Sequence, residues 1–490
     1  MKRGLILALV GVAVVAAAAV VIRQFVPGKG APAARSARHS IAVLRFEDLS
    51  PIKDYQHLCE GIPEALINAL SSLGDLRVPG RTSAFSFAEK GYGASEIGQK
   101  LNVETVLEGS VQVVDNNLQV TARLIDVKDG YQLWSDRYSR VLQDVLLIQD
   151  DIAQAIVKTL KIELLGGDEA RLVKRHTENS EAYNLYLQGR YFFNKRTETD
   201  IKKGIAYFER AIALDSKFAL AYSGLADGYS TLPDYSVSPP KSAYQEGMKA
   251  ALRAVELDAY LAEAHASLGL ALTDQFEWKK AEAELKMAIS LNPNYAQARL
   301  WLGMNHMFQA RHDEAIAELK RALDLDPFSL VINRNLGTAY YGARRYDEAL
   351  DQFEKTLEMD PASSLINFTT GMAYMAKGMS HEAEQALRKE TALPGWIIEG
   401  FVRSGYARMG EREKLESYLE QDGRELAPSV PFWMACFYAE LRETDKVFEW
   451  LDKAYEAREG WLRFFKVTDA FDYLRSDPRY KALLKKIGLD

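Results

Sequence analysis

Residues 264–293 read AHASLGLALTDQFEWKKAEAELKMAISLNP, residues 294–327 read NYAQARLWLGMNHMFQARHDEAIAELKRALDLDP, and residues 328–361 read FSLVINRNLGTAYYGARRYDEALDQFEKTLEMDP. Laid under one another, the three repeat. Gly269, Gly303, Gly337 and Gly371 follow each other at 34-residue intervals. Each has an alanine twelve positions on (Ala281, Ala315, Ala349, Ala383) and a large apolar residue four beyond that (Leu285, Leu319, Phe353, Leu387). Three units close on an Asn-Pro or Asp-Pro pair, at Pro293, Pro327 and Pro361. A fixed period of this length predicts stacked copies of one two-helix unit rather than a conventional globular core. The small residues let the paired helices approach closely, and each unit must cover its apolar face with its neighbours.

Period, small residues and closing proline together resemble the tetratricopeptide repeat. The resemblance implies an all-α solenoid over residues 180–459, about seven to eight units, whose function is to bind a peptide or protein. It also implies a concave groove lined mainly by the first helix of each unit. At the family's groove positions stand Leu300, Met304, Met307 and Phe308, then Arg334 and Tyr341, then Phe368, Met372 and Met375. Adaptable methionine beside rigid aromatics suits a groove for an apolar peptide or helix. The competing role for several of them is simply to pack against the next repeat. The Lys/Asn arrangement with which some members clamp a peptide carboxylate is missing, because Tyr186, Arg190, Ser223 and Asp227 occupy the matching positions. The first two units are irregular, with a longer loop at 194–200 and an insertion around Ser238-Pro239-Pro240; the last two, after Gly371, are decayed. Residues 460–490 are expected to be a C-terminal cap whose polar outer face keeps the end of the stack soluble.

Ahead of the repeats, residues 41–165 alternate between β-prone runs and amphipathic stretches. Strands are expected at 41–46, 76–78, 104–114, 118–127 and 131–138, with hairpin turns at Asp115-Asn116-Asn117 and Lys128-Asp129-Gly130. Helices are expected from His57 to Gly74, around Ile97–Leu101, and from Val141 to Leu164. The segments IAVLRFEDLS (41–50), EGIPEALINALSSLGDLRVPGRTSAFSF (60–87), VLEGSVQVVDNNLQVTARLIDVKDGYQLWSDRY (106–138) and IQDDIAQAIV (148–157) resemble the TolB amino-terminal-like, or FlgO-like, domain of bacterial envelope proteins. That family's domain commonly precedes tetratricopeptide repeats, often behind a cyclase, kinase or winged-helix output domain. The resemblance therefore implies a bacterial protein, and a sensor working with a separately encoded enzyme is the rival to a binding scaffold.

At the N-terminus, residues 4–22 carry no charge. As a helix they would span about 28 Å, close to the ~30 Å hydrocarbon core of a bilayer. We read them as a single transmembrane anchor, with a signal peptide as the alternative because Ala16–Ala19 offers small residues at a cleavage site. Residues 1–3 are then a tail and residues 23–40, with two prolines and two glycines, a flexible linker. Basic residues flank both ends of the anchor, so charge does not orient it; the short tail favours an inner-membrane protein with its body in the periplasm.

The chain of 490 residues has 48% hydrophobic and 26% charged residues and a net charge of -7. That balance is one of folded domains and argues against a nucleic-acid binder, which shows a basic face. Cys59 and Cys436 are the two cysteines, expected as buried free thiols. The acidic group Glu47, Asp48, Asp54, Glu60 and Glu64 reads as a solvated, helix-capping face more readily than as a metal or acid–base site. The seven histidines are scattered, and no nucleophile–base constellation emerges. No catalytic residue, cofactor or metal site is expected, and the fold class is an α+β domain followed by an all-α solenoid behind one membrane helix.

Overall fold

The computed structural model describes residues 39–73, 76–87, 90–162, 175–236, 242–363, 365–421 and 430–490. The expected anchor at 4–22 lies outside these residues. Among them, no helix is long and apolar enough to cross a membrane.

The sheet-containing domain comes first, and its elements are β1 (His39–Val43), β2 (Glu47–Asp48), α1 (Gln56–Ser71), β3 (Leu76–Arg77), α2 (Arg81–Phe85), α3 (Ala94–Leu101), β4 (Thr105–Val114), β5 (Asn117–Asp126), β6 (Gln132–Val141) and α4 (Val145–Thr159). The sheet order is β3-β1-β4-β5-β6, with β2 paired to β4. β1 runs parallel to β3 and β4, while β4-β5-β6 form an antiparallel meander. Its first hairpin closes on two residues, Asp115 and Asn116, with Asp115 at φ 54°. β6 is longer than its sequence implied, because it pairs along all of β5 until Val141 meets Asn117. This delays α4 to Val145. α1 and α4 bury Leu58, Ile62, Leu66, Ile148, Ile152 and Ile156 in one core with β1, β4 and β5.

Eight helix pairs follow among the described residues: α5–α6 (Ser180–Phe193, Glu198–Leu214), α7–α8 (Ala219–Tyr235, Ala243–Leu257), α9–α10 (Ala262–Asp274, Trp278–Leu291), α11–α12 (Ala296–Phe308, His312–Leu325), α13–α14 (Leu330–Gly342, Tyr346–Met359), α15–α16 (Ile366–Ala376, Ser380–Leu387), α17–α18 (Gly395–Arg408, Arg412–Gln421) and α19–α20 (Pro431–Glu440, Thr444–Glu456). The packing explains the spacing of the sequence. A Cβ on Gly303 would lie 2.6 Å from Leu319 Cγ and 3.2 Å from the carbonyl oxygen of Ala315. Gly337 meets Phe353, and Gly371 meets Leu387, in the same way. The glycine of each first helix is the socket for the large apolar residue of the second, so both recur together. In seven of the pairs the described turn carries a left-handed residue: Phe276, Ala310, Arg344 and Gly378 lie 34 apart, with Arg196, Gly410 and Arg442 in the turns of the first, seventh and eighth pairs. Two of these seven are glycines.

The chain ends in two 3₁₀ turns, Gly460–Phe464 and Asp469–Leu474, and α21 (Pro478–Lys486). The 3₁₀ turns and α21 lie against the last pair, where Arg479 pairs with Asp445 at 2.8 Å, Lys486 pairs with Asp452 at 3.1 Å, and Phe471 meets Phe432 at 5.7 Å. They fold back along the array, and their apolar side chains (Leu462, Phe465, Phe471, Leu474, Leu483) join the repeat core.

Candidate functional site: the inner face of the repeats

Residues 460–489 run past the ends of the first helices and along the turns inside the pairs. Arg463, 4% exposed, reaches back to the second and third pairs, where its Nη1 donates to Asp274 Oδ1 at 2.9 Å and its Nη2 to Asp234. Its guanidinium also stands 5.2 Å from the Phe308 ring centre. Phe464 meets Phe308 edge-on at 4.8 Å, and Trp461 meets Trp433 at 5.1 Å. Farther along, Arg344 donates to the Val467 carbonyl at 2.6 Å and to both Asp472 oxygens. Tyr341 OH donates to Asp469 Oδ1 at 2.6 Å, and Arg408 Nη1 donates to Asp469 Oδ2 at 2.9 Å. Finally Trp278 Nε1 donates to the Ile487 carbonyl at 2.7 Å. One segment thus ties the second pair to the eighth.

The electrostatics of this seam follow from burial. Burial alone would raise the Asp469 carboxyl, but the Arg408 cation and the Tyr341 hydroxyl outweigh it and hold the group below its ordinary value. Glu459 has no such cation. Its Oε2 accepts the Phe432 amide at 2.7 Å, and burial pushes it up to about 8, so it carries a proton at neutral pH.

The opposite rim, formed by the loops between pairs, is covered by the sheet domain. Asn292 donates to Ser71 Oγ at 3.0 Å, and Asn294 donates to the carbonyls of Ser71 and Leu76. Asp326 accepts from Ser83 N at 2.7 Å, and Ser83 Oγ accepts from Phe328 N at 2.8 Å. Gly80 N donates to the Leu325 carbonyl at 2.7 Å; a Cβ there would stand 2.7 Å from that of Asp326, so the approach requires glycine. The Asn and Asp before the recurring prolines therefore hold a neighbouring domain as well as ending a helix. α1 also lies along α5: His57 and Asn184 meet at 3.1 Å, and Glu64 accepts from Arg190 at 2.7 Å and from Asn194 at 3.0 Å.

Between the two rims, Met304, Arg334, Tyr341, Phe368 and Met372 surround one cavity of about 130 Å³. Trp461, Arg463, Phe464 and Val467 form its other wall. The other four groove residues are differently placed. Leu300, Met307 and Met375 are at most 2% exposed and pack in the repeat core, the alternative that the spacing left open, whereas Phe308, 1% exposed, is covered by Phe464 and Arg463 of the C-terminal segment. Helical positions one residue apart diverge by a third of a turn, and sequence offset alone does not separate groove from seam. Sequence reasoning missed the second wall of the cavity: Trp433 belongs to a unit that no longer shows the repeat, and Trp461 and Phe464 to the segment that follows the last pair.

The acidic group of the sheet domain is engaged in structure. Glu60 pairs with Arg45 at 3.5 Å and with Arg81, Glu64 pairs with Arg81 and Arg190, and Asp48 accepts the Ser50 amide at 2.9 Å. Among the described residues, no group of three or more His, Cys, Asp or Glu side chains is arranged to hold a metal ion. Cys59 and Cys436 are both buried and unbridged, and burial pushes the Cys59 thiol up to about 12.

Two family models, both described as tetratricopeptide repeat, match residues 294–362 and 334–395. The repeats are therefore tetratricopeptide repeats. A curated relative from Rhizobium meliloti (strain 1021), named "Putative adenylate cyclase 3", is 31% identical over 241 residues, which is 48% of this chain. The chain spans 40% of that relative's length. Among solved structures, TTC0263, a tetratricopeptide repeat protein of Thermus thermophilus, is 22% identical, with 40% of this chain and 99% of that chain covered and a TM-score of 0.35. PilF of Pseudomonas aeruginosa is 20% identical, with 43% and 92% covered and a TM-score of 0.34.

Proposed function

We propose that this chain is a protein–protein interaction scaffold, held at a bacterial inner membrane by residues 4–22 with its body in the periplasm. In this reading the partner is a peptide or protein segment bearing large apolar side chains, and it docks on the inner face of the repeats. The observation that supports the site is that the inner face already holds such a segment. Trp461 and Phe464 line the cavity opposite Met304, Phe368 and Met372, presenting the apolar side chains that a bound peptide would present. A partner gains access by replacing them. The sheet domain, which we read as TolB amino-terminal-like, closes the other rim and sets which repeats are reachable.

The experiment is partner capture with the full-length chain in three forms. Trp461→Ala/Phe464→Ala loosens the internal segment and is expected to recover more partner than the wild type. Met304→Asp/Met372→Asp places charge on the docking wall and is expected to recover less. Equal recovery by all three forms would refute the groove. Phe368 is left alone, because it packs at 5.0 Å against Phe401 and a carboxylate there would damage the fold.

A second reading is favoured by the match to the cyclase-named relative: the chain is a sensor module for a separately encoded cyclase or kinase. Copurification with such an enzyme supports it. Reporter fusions at the C-terminus test the membrane orientation, and a reporter active only in the cytoplasm overturns the periplasmic assignment.

A further inference from the structure

A second cavity, of about 390 Å³, lies where the sheet domain meets the repeats. Its wall brings together Arg81 from α2, Arg190 and Arg196 from the first pair, and Arg334 from α13, with Tyr235 and Tyr295 beside them. These cations are not equally satisfied. Arg81 pairs with Glu60 and Glu64, and Arg190 pairs with Glu64 at 2.7 Å and with Asp227 at 3.6 Å. Arg196 differs. Among the described residues its guanidinium makes no hydrogen bond and has no carboxylate within 4.0 Å. It is half-buried and stacked 4.1 Å over the Phe193 ring, on a turn residue held at φ 55°.

The three carboxylates that share the wall are committed elsewhere. Glu64 serves Arg81, Arg190 and Asn194; Asp326 accepts from Ser83; and Asp360 accepts the Ala362 amide at 2.9 Å. Arg196 is therefore a cation in a recess whose wall carboxylates are all engaged by other partners. Burial lowers its proton affinity, with smaller contributions from the charges of Arg190 and Arg334, and outweighs the opposing pull of Tyr235 and Asp227.

We propose that this cavity is a binding site for a small organic oxyanion, a phosphate ester or a carboxylate, taken by the guanidinium group of Arg196 in the positive field of its neighbouring arginines. A planar guanidinium matches both groups with paired N–H donors, and it is more weakly hydrated than an ammonium, so it yields its water at low cost. The volume exceeds that of a bare ion and lies in the range of small-molecule clefts. The two tyrosines offer flat apolar surface to the body of the ligand. Because the wall is drawn from the sheet domain and from the first, second, fourth and fifth pairs, a bound anion would clasp the two domains together.

The test uses the full-length chain with inorganic phosphate, AMP and citrate, each against chloride at equal ionic strength, read by calorimetry and by thermal unfolding. Saturable binding of AMP or citrate beyond chloride is expected. AMP without citrate assigns a phosphate ester, and citrate without AMP a carboxylate. Arg196→Gln is expected to weaken binding at least tenfold, and Arg334→Gln is expected to act in the same direction. In anion-free buffer Arg196→Gln is expected to leave the unfolding temperature unchanged or raised, because it removes a buried cation that no carboxylate pairs at close range; a purely structural arginine would show a fall. The proposal is overturned by any of three results: no anion exceeds chloride, Arg196→Gln binds as wild type does, or Arg196→Gln unfolds at a lower temperature without anion.

Discussion

Replacing Arg463 by methionine cuts the deepest tie between the C-terminal segment and the early repeats while keeping most of the apolar stem. The Asp274 side chain is fully buried and that of Asp234 is 27% exposed, so the loss falls mainly on Asp274. Removing one partner of a buried ion pair typically costs about 3–5 kcal/mol. Asp274 is already raised by burial, to about 7 even with the arginine beside it, so it takes up a proton when the cation leaves. That uptake holds the loss near the lower figure. About 3 kcal/mol is roughly a 150-fold increase in the population that opens, at 1.4 kcal/mol per tenfold. Hydrogen exchange reads this directly. Amides in 460–474 are expected to exchange roughly 100-fold faster at neutral pH, while those of the β4–β5 hairpin keep their rates and serve as the internal reference. Adding Asp234→Asn and Asp274→Asn to the same chain is expected to restore part of the protection, because it removes the stranded carboxylates. Exchange in 460–474 within threefold of wild type would refute the reasoning, since the segment would then be held by something other than this contact.

Two further outcomes follow from the packing and from the buried acid. Gly337→Ala drives a methyl into the Phe353 ring and is expected to cost about 1–3 kcal/mol in denaturant unfolding, whereas Gly93→Ala, which faces open space, is expected to be near neutral. Glu459 holds its proton in the fold and releases it in the unfolded chain, so its contribution to stability is present below about pH 4.5 and is lost as pH rises through about 8. The displacement corresponds to at most about 5 kcal/mol. Wild type is expected to lose thermal stability between pH 7 and pH 9 more steeply than Glu459→Gln, and parallel curves would contradict the assignment.

The repeats were legible because one contact recurs: a glycine that accepts a large side chain from the paired helix leaves the same spacing in every copy. The strands were legible from alternation and from the Asp115-Asn116 turn. The closing of the two rims was not. Arg463 meets its carboxylates across 229 and 189 residues, and Ser83 meets Asp326 across 243. No local pattern encodes such pairings, and Asp326 reads in the sequence only as the end of a helix. The groove was half legible for the same reason. Met304, Arg334, Tyr341, Phe368 and Met372 fall on one cavity, yet what faces them comes from residues whose repeat signal has faded.

Partner binding at the inner face requires that the partner take the place that Trp461 and Phe464 now hold. A photo-crosslinking benzoylphenylalanine installed in place of Met304 in the full-length chain measures this directly. Without partner, it is expected to join its own chain within residues 460–468. With partner, that internal adduct is expected to fall and a partner adduct to appear in its place. A partner that binds while the internal adduct stays undiminished, with no adduct of its own, would contradict the account.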